Sequence, residues 1–205
     1  MRIASHLRTA VAALPLSALL GTAPLLAQGA PVGGTIRLGL TPSAEAAAPG
    51  ASFTVDLTVD MTAATGTCGG SASVPVTLGA YNLGIRYDAS LLSFVGTAAC
   101  PSAPGEFRGA PPCANNTRTP AESFVNCNAV NPNAGTAATT PQGDVCVVRV
   151  TFKRTAAGAP ARLSTLHTGG TRGIATAAIG GCGGPVTFPA ADVAGGEATV
   201  SSAPN

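Results

Sequence analysis

The sequence has few charged and few aromatic side chains. Only 10% of its residues are Asp, Glu, Lys or Arg, 4% are aromatic, and tryptophan is absent. Nucleic-acid binding needs clustered Lys and Arg, so this composition excludes it as a leading function. Sugar-binding surfaces stack pyranose rings on exposed Trp or Tyr. With Tyr81 and Tyr87 as the two tyrosines, an aromatic platform for cellulose-like chains is not expected.

Catalytic residue types are also scarce. Hydrolytic sites need a nucleophile with a base, or two carboxylates opposed across a cleft. His167 is the single histidine beyond residue 27, there is no G-x-S-x-G motif, and Asp56 and Asp60 alternate with apolar residues along a strand pattern. We expect His167 to be a solvated loop residue and both aspartates to lie on a wet strand face. The sequence therefore predicts no enzyme activity, no catalytic residue and no cofactor.

Residues 1–27 have the pattern of a secretory signal peptide. Arg2 and Arg8 precede an Ala-rich apolar run over 10–26, which prolines and a glycine interrupt, and Ala27 offers a small-residue cleavage point. The alternative is a retained membrane anchor, which this short and broken run does not favour. Of eleven Lys and Arg, these two lie in the leader, so nine basic and nine acidic residues remain. We expect a secreted protein, extracellular or periplasmic, without membrane insertion after cleavage.

Six cysteines follow the leader. An even number in an exported chain indicates disulfides. A metal site is the alternative, but no two cysteines have the C-x-x-C spacing and His167 lies far from any pair, so we expect no metal. The cysteines are Cys68, Cys100, Cys113, Cys127, Cys146 and Cys182.

Alternating apolar and polar residues predict an all-β domain over 33–202. No segment has a helical period over three turns, and a Pro/Asn-rich loop insertion is expected over about 101–142, with one strand inside it. Six asparagines between 115 and 133 could bind sugar hydroxyls, but turn formation is the more ordinary interpretation. The predicted strands are 35–40, 52–60, 80–87, 91–95, 123–127, 145–152, 161–166, 174–179, 186–188 and 197–201.

Alternation along the predicted strand 80–87 divides its side chains between two faces. Tyr81, Leu83, Ile85 and Tyr87 share the face expected to enter the core, whereas the residues between them share the other. Asp88 follows at the start of a tight turn, where its carboxylate can bond its own backbone. That role explains Asp88 without a calcium ion.

The order of these motifs resembles that of a cohesin domain and of the related carbohydrate-binding modules. The motifs are Pro49-Gly50, the run GAYNLGIRYD at 79–88, LLSF at 91–94 and a late VRVTF strand at 148–152. The resemblance implies a nine-stranded jelly-roll β-sandwich. It also implies three disulfides: in that topology Cys100 would approach Cys146 and Cys68 would approach Cys182, and Cys113 and Cys127 are left to close the proline-rich loop.

The same resemblance implies a non-catalytic recognition module. Cohesins bind a dockerin across one sheet face, which in this chain would carry Asn82, Arg86 and Asn126 on the outward side. The expected partner is a dockerin-like protein or a polysaccharide on another molecule, because this chain has no dockerin-type calcium repeat. A structural component of a cell-surface layer or matrix is the alternative.

Overall fold

Strands make up almost all regular structure in the computed structural model, which describes residues 33–67, 73–131, 142–167, 173–178, 186–187 and 192–204. The predicted signal peptide therefore lies outside the described residues. No helix in these ranges is long and apolar enough to cross a membrane. The strands are β1 (Gly33–Pro42), β2 (Ala46–Ala47), β3 (Ser52–Thr67), β4 (Ser73–Tyr87), β5 (Leu92–Ala98), β6 (Cys113–Asn116), β7 (Ser123–Val130), β8 (Asp144–Arg154), β9 (Ala161–Leu166), β10 (Gly173–Ala178), β11 (Val186–Thr187), β12 (Val193–Ala194) and β13 (Glu197–Ser202).

The strands form two sheets that enclose one apolar core. The first sheet has the order β12-β1-β3-β8-β5, and the second has the order β6-β7-β4-β9-β13, with β10 continuing beside β4. The end of β3 pairs with the start of β4, which joins the sheets at one corner. Both sheets contribute apolar side chains to the core, so the all-β sandwich prediction is confirmed.

The period-two pattern explains which side chains are buried. On β3, Phe53, Val55, Leu57 and Val59 are buried, as the alternation from Ser52 to Asp60 requires. On β4, Tyr81, Leu83, Ile85 and Tyr87 are likewise buried in the core. Each predicted strand coincides with an observed one wherever the chain is described.

The strand count differs from the nine that the resemblance implied. Thirteen strand segments are present in the described residues, and three of them, β2, β11 and β12, are two residues long. They are brief pairings along sheet edges and therefore add segments without adding a layer. The two-layer architecture is unaffected.

The insertion predicted over about 101–142 contains the strand expected at 123–127 and, where it is described, a second strand that pairs with it. The antiparallel pair β6 and β7 occupies 113–116 and 123–130. A disulfide joins Cys113 and Cys127, which are directly opposite in the register of these strands. It compensates for the low strand propensity of the sequence CANN. Residues 132–141 lie outside the described part.

Residues 101–112 form a strap between the two sheets. A disulfide joins Cys100, at one end, to Cys146 on β8, and Cys113, at the other end, is bonded to Cys127 on β7. Between them Phe107 enters the core, 5.6 Å from the ring of Tyr81. Both disulfides match the pairings that the resemblance implied, whereas the expected pair of Cys68 with Cys182 lies outside the described residues.

A fully buried arginine closes the end of β8. Arg154 follows Val150 and Phe152 on the inward side of the strand. Its guanidinium donates through Nε to the Ala156 carbonyl at 2.8 Å, through Nη2 to Ala159 at 2.6 Å and through Nη1 to Val200 at 3.1 Å. Three backbone acceptors thus satisfy a buried cation and tie the loop after β8 to β13.

Candidate recognition face

The outward side chains of β4 and of its neighbours β7 and β9 form one continuous surface, which we call the β4 face. Sheet register places Gly84 of β4 between Asn126 of β7 and Leu166 of β9, and Arg86 between Phe124 and Ser164. The members of the β4 face are Ala80, Asn82, Gly84, Arg86, Phe124, Asn126, Asn128, Val130, Ser164 and Leu166.

The three residues predicted to bind a partner lie together on this surface. Arg86 is exposed, and Asn82 and Asn126 are half-buried. Asn126 Nδ2 donates to Asn82 Oδ1 at 2.7 Å across the β4–β7 pair. The amides hold each other in place, so a partner meets an ordered polar group at the centre of the face.

Gly84 keeps the centre of the β4 face free of a side chain. A Cβ atom there would lie 2.9 Å from the carbonyl oxygen of Val125 and 3.4 Å from Cβ of Leu166. A larger residue would push β7 and β9 apart, since such a contact requires the neighbouring backbone to move. Glycine at position 84 therefore permits β4 to pack closely against β7 and β9 where Gly84 pairs with Asn126 and Leu166.

The β4 face differs from the outer face of the first sheet in charge. On the first sheet, Arg37 lies opposite Asp60, Asp60 lies opposite Asp144, and Asp56 lies opposite Arg149. Among its described residues the β4 face carries charge at one end alone, where Arg86 lies and where Arg162 continues the outward series of β9. Depletion of charge at the centre of a surface is typical of protein interfaces, whereas alternating charge is typical of a solvated face.

Val130 adds an exposed apolar side chain at the opposite end of the β4 face. It is 69% exposed, and in the described residues the other large exposed apolar side chain is Val95 of β5, at 55%. Sequence reasoning missed Val130, although the outward series 124, 126, 128 and 130 along β7 includes it.

A groove of about 500 Å³ lies beyond the Arg86 end of the β4 face, and we call it the Arg86 groove. Its lining includes Arg86, Asp88, Arg162, Ser164, Glu197 and Thr199. Ser164 pairs with Arg86 on one side and with Glu197 on the other, so the groove crosses β4, β9 and β13. Its charged residues come from distant parts of the chain, and the sequence offered no signal that joins them.

Asp88 has the turn role that the sequence predicted. Its Oδ1 accepts hydrogen bonds from the Ser90 backbone N–H at 2.8 Å and from the Ser90 hydroxyl at 2.6 Å. The Asp88 carbonyl also accepts from the backbone N–H of Leu92 at 3.0 Å. The carboxylate thereby orders the turn between β4 and β5.

His167 does not have the solvated position that we expected. The residue is half-buried, and its Nδ1 atom is enclosed and finds no hydrogen-bond partner in the described part of the chain. A Cβ atom on Gly195 would lie 3.0 Å from Cε1 of the imidazole, so the ring packs against the bare backbone of that glycine. The contact between His167 and Gly195 cannot be inferred from the Thr/Gly-rich sequence around the histidine.

One cluster brings three potential metal-ligand atoms within 4.8 Å of one another: a carboxylate oxygen of Asp56 and the sulfur atoms of Cys100 and Cys146. The two sulfur atoms are bonded to each other, and Arg149 donates to both oxygens of Asp56, at 2.6 Å and 2.7 Å. The hydrogen bond to Asp56 raises the pKa of Arg149. The cluster is therefore a disulfide beside an ion pair.

Both tyrosines are occupied inside the sandwich. The Tyr81 hydroxyl donates to the Val147 carbonyl at 3.0 Å, and the Tyr87 hydroxyl donates to Asn115 Oδ1 at 2.8 Å. Burial raises the pKa of Tyr81. Neither ring is available for sugar stacking on the surface.

Most described asparagines of the 115–133 cluster serve the protein itself. Asn116 donates to the Ala114 carbonyl at 3.2 Å, and the buried Asn131 donates to the Leu78 carbonyl at 3.3 Å. Asn115 accepts from the Tyr87 hydroxyl, and Asn126 donates to Asn82. Asn128 is exposed, and Asn133 lies outside the described residues. These contacts agree with the structural interpretation of the cluster.

Comparison with solved structures identifies the fold. CaCohA2 of Clostridium acetobutylicum, in a complex with CaDoc0917, has a TM-score of 0.51 at 14% identity, covering 82% of this chain and 100% of that chain. The Coh-OlpA–Doc918 complex of Clostridium thermocellum gives 0.50 at 14% identity, with 82% and 99% covered. The seventh ScaB type I cohesin of Pseudobacteroides cellulosolvens gives 0.50 at 13% identity, with 83% and 94% covered.

The chain therefore has a cohesin-like fold, as its motifs suggested. No protein-family model matches the sequence, and no curated protein matches it.

Proposed function

We propose that the protein is an exported, non-catalytic recognition module that binds a protein partner through the β4 face. The observation that carries the proposal is that the described residues of this face between Val130 and Arg86 carry no charge, whereas the outer face of the opposite sheet is densely charged. A surface of this composition loses little solvation energy when a partner covers it.

The proposed partner is a dockerin-like protein on another molecule. One structure of similar fold is described as a cohesin–dockerin complex, which supports this class. Burial of Tyr81 and Tyr87 removes the rings best suited to stacking on sugar, so a protein partner is favoured over a polysaccharide. The disulfides are consistent with export to an oxidising compartment.

The proposal is tested by partner capture followed by binding measurements with matched variants. The oxidised protein is immobilised, the partner is captured from the culture medium of the producing organism, and the purified partner is titrated by calorimetry. V130E should weaken binding at least about tenfold, because burying an unpaired carboxylate in an interface is costly. V95E places the same change on the first sheet and should leave binding unchanged.

Two outcomes would contradict the proposal. Loss of binding in V95E with normal binding in V130E would assign recognition to the first sheet. Unchanged binding in V130E, together with unchanged binding in N126A and R86A, would remove the β4 face as the site. Circular dichroism of each variant separates a local effect from misfolding.

A further inference from the structure

The two disulfides in the described residues differ in exposure. Cys100 and Cys146 are both buried. Cys113 is half-buried on the edge strand β6, whereas its partner Cys127 lies inside the core. Thiol–disulfide exchange requires an attacking thiolate to reach one of the two sulfur atoms, so access decides which bond opens first. The bond between Cys113 and Cys127 is therefore the more accessible of the two.

The contacts that hold β6 in place, apart from this bond, are few. The strand is four residues long and pairs with β7 at one edge of the second sheet. Ala114 and Asn115 are exposed and Asn116 is half-buried, so β6 buries little apolar surface. The Tyr87 hydroxyl adds one side-chain hydrogen bond, to Asn115 Oδ1 at 2.8 Å. A short Asn-rich strand at a sheet edge has low intrinsic stability, so β6 depends on its cross-link.

Anchors on both sides of β6 limit the segment that opening of the bond would release. On the N-terminal side, Phe107 is buried with its ring 5.6 Å from that of Tyr81. On the C-terminal side, the Pro120 carbonyl accepts from the backbone N–H of Ala89 at 3.0 Å. β7 is paired with β4 along all of its eight residues. Release of β6 therefore leaves the sandwich itself intact.

β6 extends the β4 face by one strand. Sheet register places Ala114 beside Asn126 and Asn116 beside Phe124. Because successive side chains of a strand alternate, these two residues share the outward side when Cys113 is bonded to Cys127. A partner that covers β7 thus also meets β6, provided that the disulfide is closed.

We infer that the bond between Cys113 and Cys127 is a redox switch, which releases β6 and narrows the β4 face when an external dithiol reduces it. The effect on recognition rests on the proposed function. A buried free cysteine behaves as a small apolar residue, so Cys127 stays in the core after reduction.

The exchange proceeds in two steps. One thiolate of the dithiol attacks Sγ of Cys113, the S–S bond breaks, and Cys127 leaves as a thiolate that takes up a proton. The second thiol of the dithiol loses its proton and attacks the mixed disulfide, which releases the Cys113 thiolate to be protonated in turn. The dithiol is thereby oxidised to a disulfide, and the two cysteines gain two electrons and two protons.

Partial reduction tests the order in which the bonds open. The oxidised protein is incubated with increasing dithiothreitol, the reaction is stopped in acid, and free thiols are blocked with N-ethylmaleimide in denaturant before peptide mapping by mass spectrometry. Cys113 and Cys127 should be labelled at dithiol concentrations that leave Cys100 joined to Cys146. Opening of the bond between Cys100 and Cys146 first, or of both bonds together, would overturn the inference.

Hydrogen exchange measures the release of β6. Amide exchange over 113–116 should be about tenfold or more faster in C113A/C127A than in the oxidised wild type, because the cross-link no longer restricts the strand. Wild-type protein reduced at this bond alone should behave in the same way, which makes the test independent of the substitutions. C100A/C146A is the matched control and should leave exchange in β6 unchanged. Unchanged exchange in β6 of the partly reduced wild type would overturn the inference.

The captured partner distinguishes this inference from the proposed function. C113A/C127A should weaken partner binding about three- to tenfold, since β6 no longer extends the contact, and C100A/C146A should bind as the wild type does. Weaker binding in V130E, with unchanged binding in C113A/C127A, would overturn the redox control and leave the β4 face as the site. Unchanged binding in both V130E and C113A/C127A would reject the face itself and the redox control with it.

Discussion

Replacing Arg154 by methionine would determine whether a buried cation held by backbone carbonyls stabilises this sandwich. Two opposing terms of similar size decide the result. Removing a guanidinium from the interior recovers a desolvation penalty of several kcal/mol. Against this, hydrogen bonds from charged donors contribute about 1.5–3 kcal/mol each, and Arg154 makes three of them.

The three acceptors differ in what happens after the substitution. Ala156 and Ala159 lie in the loop after β8, where water can replace the guanidinium as the donor. Loss of their two hydrogen bonds to Arg154 therefore costs little free energy. Val200 is fully buried on β13, and its carbonyl loses its side-chain donor in an environment that water does not reach. We therefore expect R154M to reduce the free energy of unfolding by about 2–4 kcal/mol.

Urea unfolding of the oxidised protein, followed by far-UV circular dichroism and tyrosine fluorescence, measures this change. For a domain of this size, the expected loss lowers Tm by about 4–16 °C. R154K should be no more stable than R154M, because an ammonium group cannot direct donors to three carbonyls in a plane. K153M changes an exposed neighbour on the same strand and should stay within about 0.5 kcal/mol of the wild type. Wild-type stability in R154M would show that the recovered desolvation penalty fully offsets the lost hydrogen bonds, greater stability would show that it outweighs them, and either result would refute the reasoning.

Three further predictions concern single side chains elsewhere in the fold. Y81F should lower the free energy of unfolding by about 1–2 kcal/mol at neutral pH, because it removes a buried hydrogen bond. Burial raises the pKa of Tyr81 in the folded state, so the stability that this hydroxyl contributes is present below about pH 10 and is lost as the pH rises above it. The urea midpoint of Y81F should therefore fall less in alkali than that of the wild type. G196A should cost about 2–3 kcal/mol in urea unfolding, since the new Cβ would lie 2.3 Å from a carbonyl oxygen of β1, whereas G96A meets nothing within 4 Å and should be neutral. The hydroxyl and N–H of Thr62 lower the pKa of Asp60, so its contribution is present above about pH 4 and is lost as the pH falls through the lowered pKa of the folded state. D60N should therefore differ from the wild type in urea midpoint at pH 6, and the difference should shrink steadily as the pH is lowered below about 4.

The core could be predicted from sequence wherever a strand buries one side. Tyr81, Leu83, Ile85 and Tyr87 are buried because side chains alternate along a strand, and no long-range information is needed to assign them to one face. Arg154 continues the same inward series after Val150 and Phe152. Arg154 was missed because a pattern of buried apolar residues ends at the first charged residue of the inward series. The carbonyls that accept its hydrogen bonds lie in the following loop and on β13, outside the strand that carries the pattern.

The candidate site was only partly predictable for a similar reason. Asn82 and Arg86 could be assigned to the outward side of β4 from its alternation alone. The Arg86 groove depends on the register of β4 with β9 and of β9 with β13, which places Ser164 between Arg86 and Glu197. Residues 86, 164 and 197 are far apart in the chain, and sheet register is set by closure of the whole sandwich.

The disulfides and the β4 face are connected through β7. Cys127 is on the inward side of that strand, where its bond to Cys113 holds β6 against β7. Asn126 and Asn128, its neighbours in sequence, must then point outward, because successive side chains of a strand alternate. The same cross-link that compensates for a weak edge strand thus fixes the orientation of the amides on the β4 face. In a chain with little charge and few aromatic residues, covalent bonds and backbone-satisfied groups such as Arg154 provide the rigidity on which a neutral recognition surface depends.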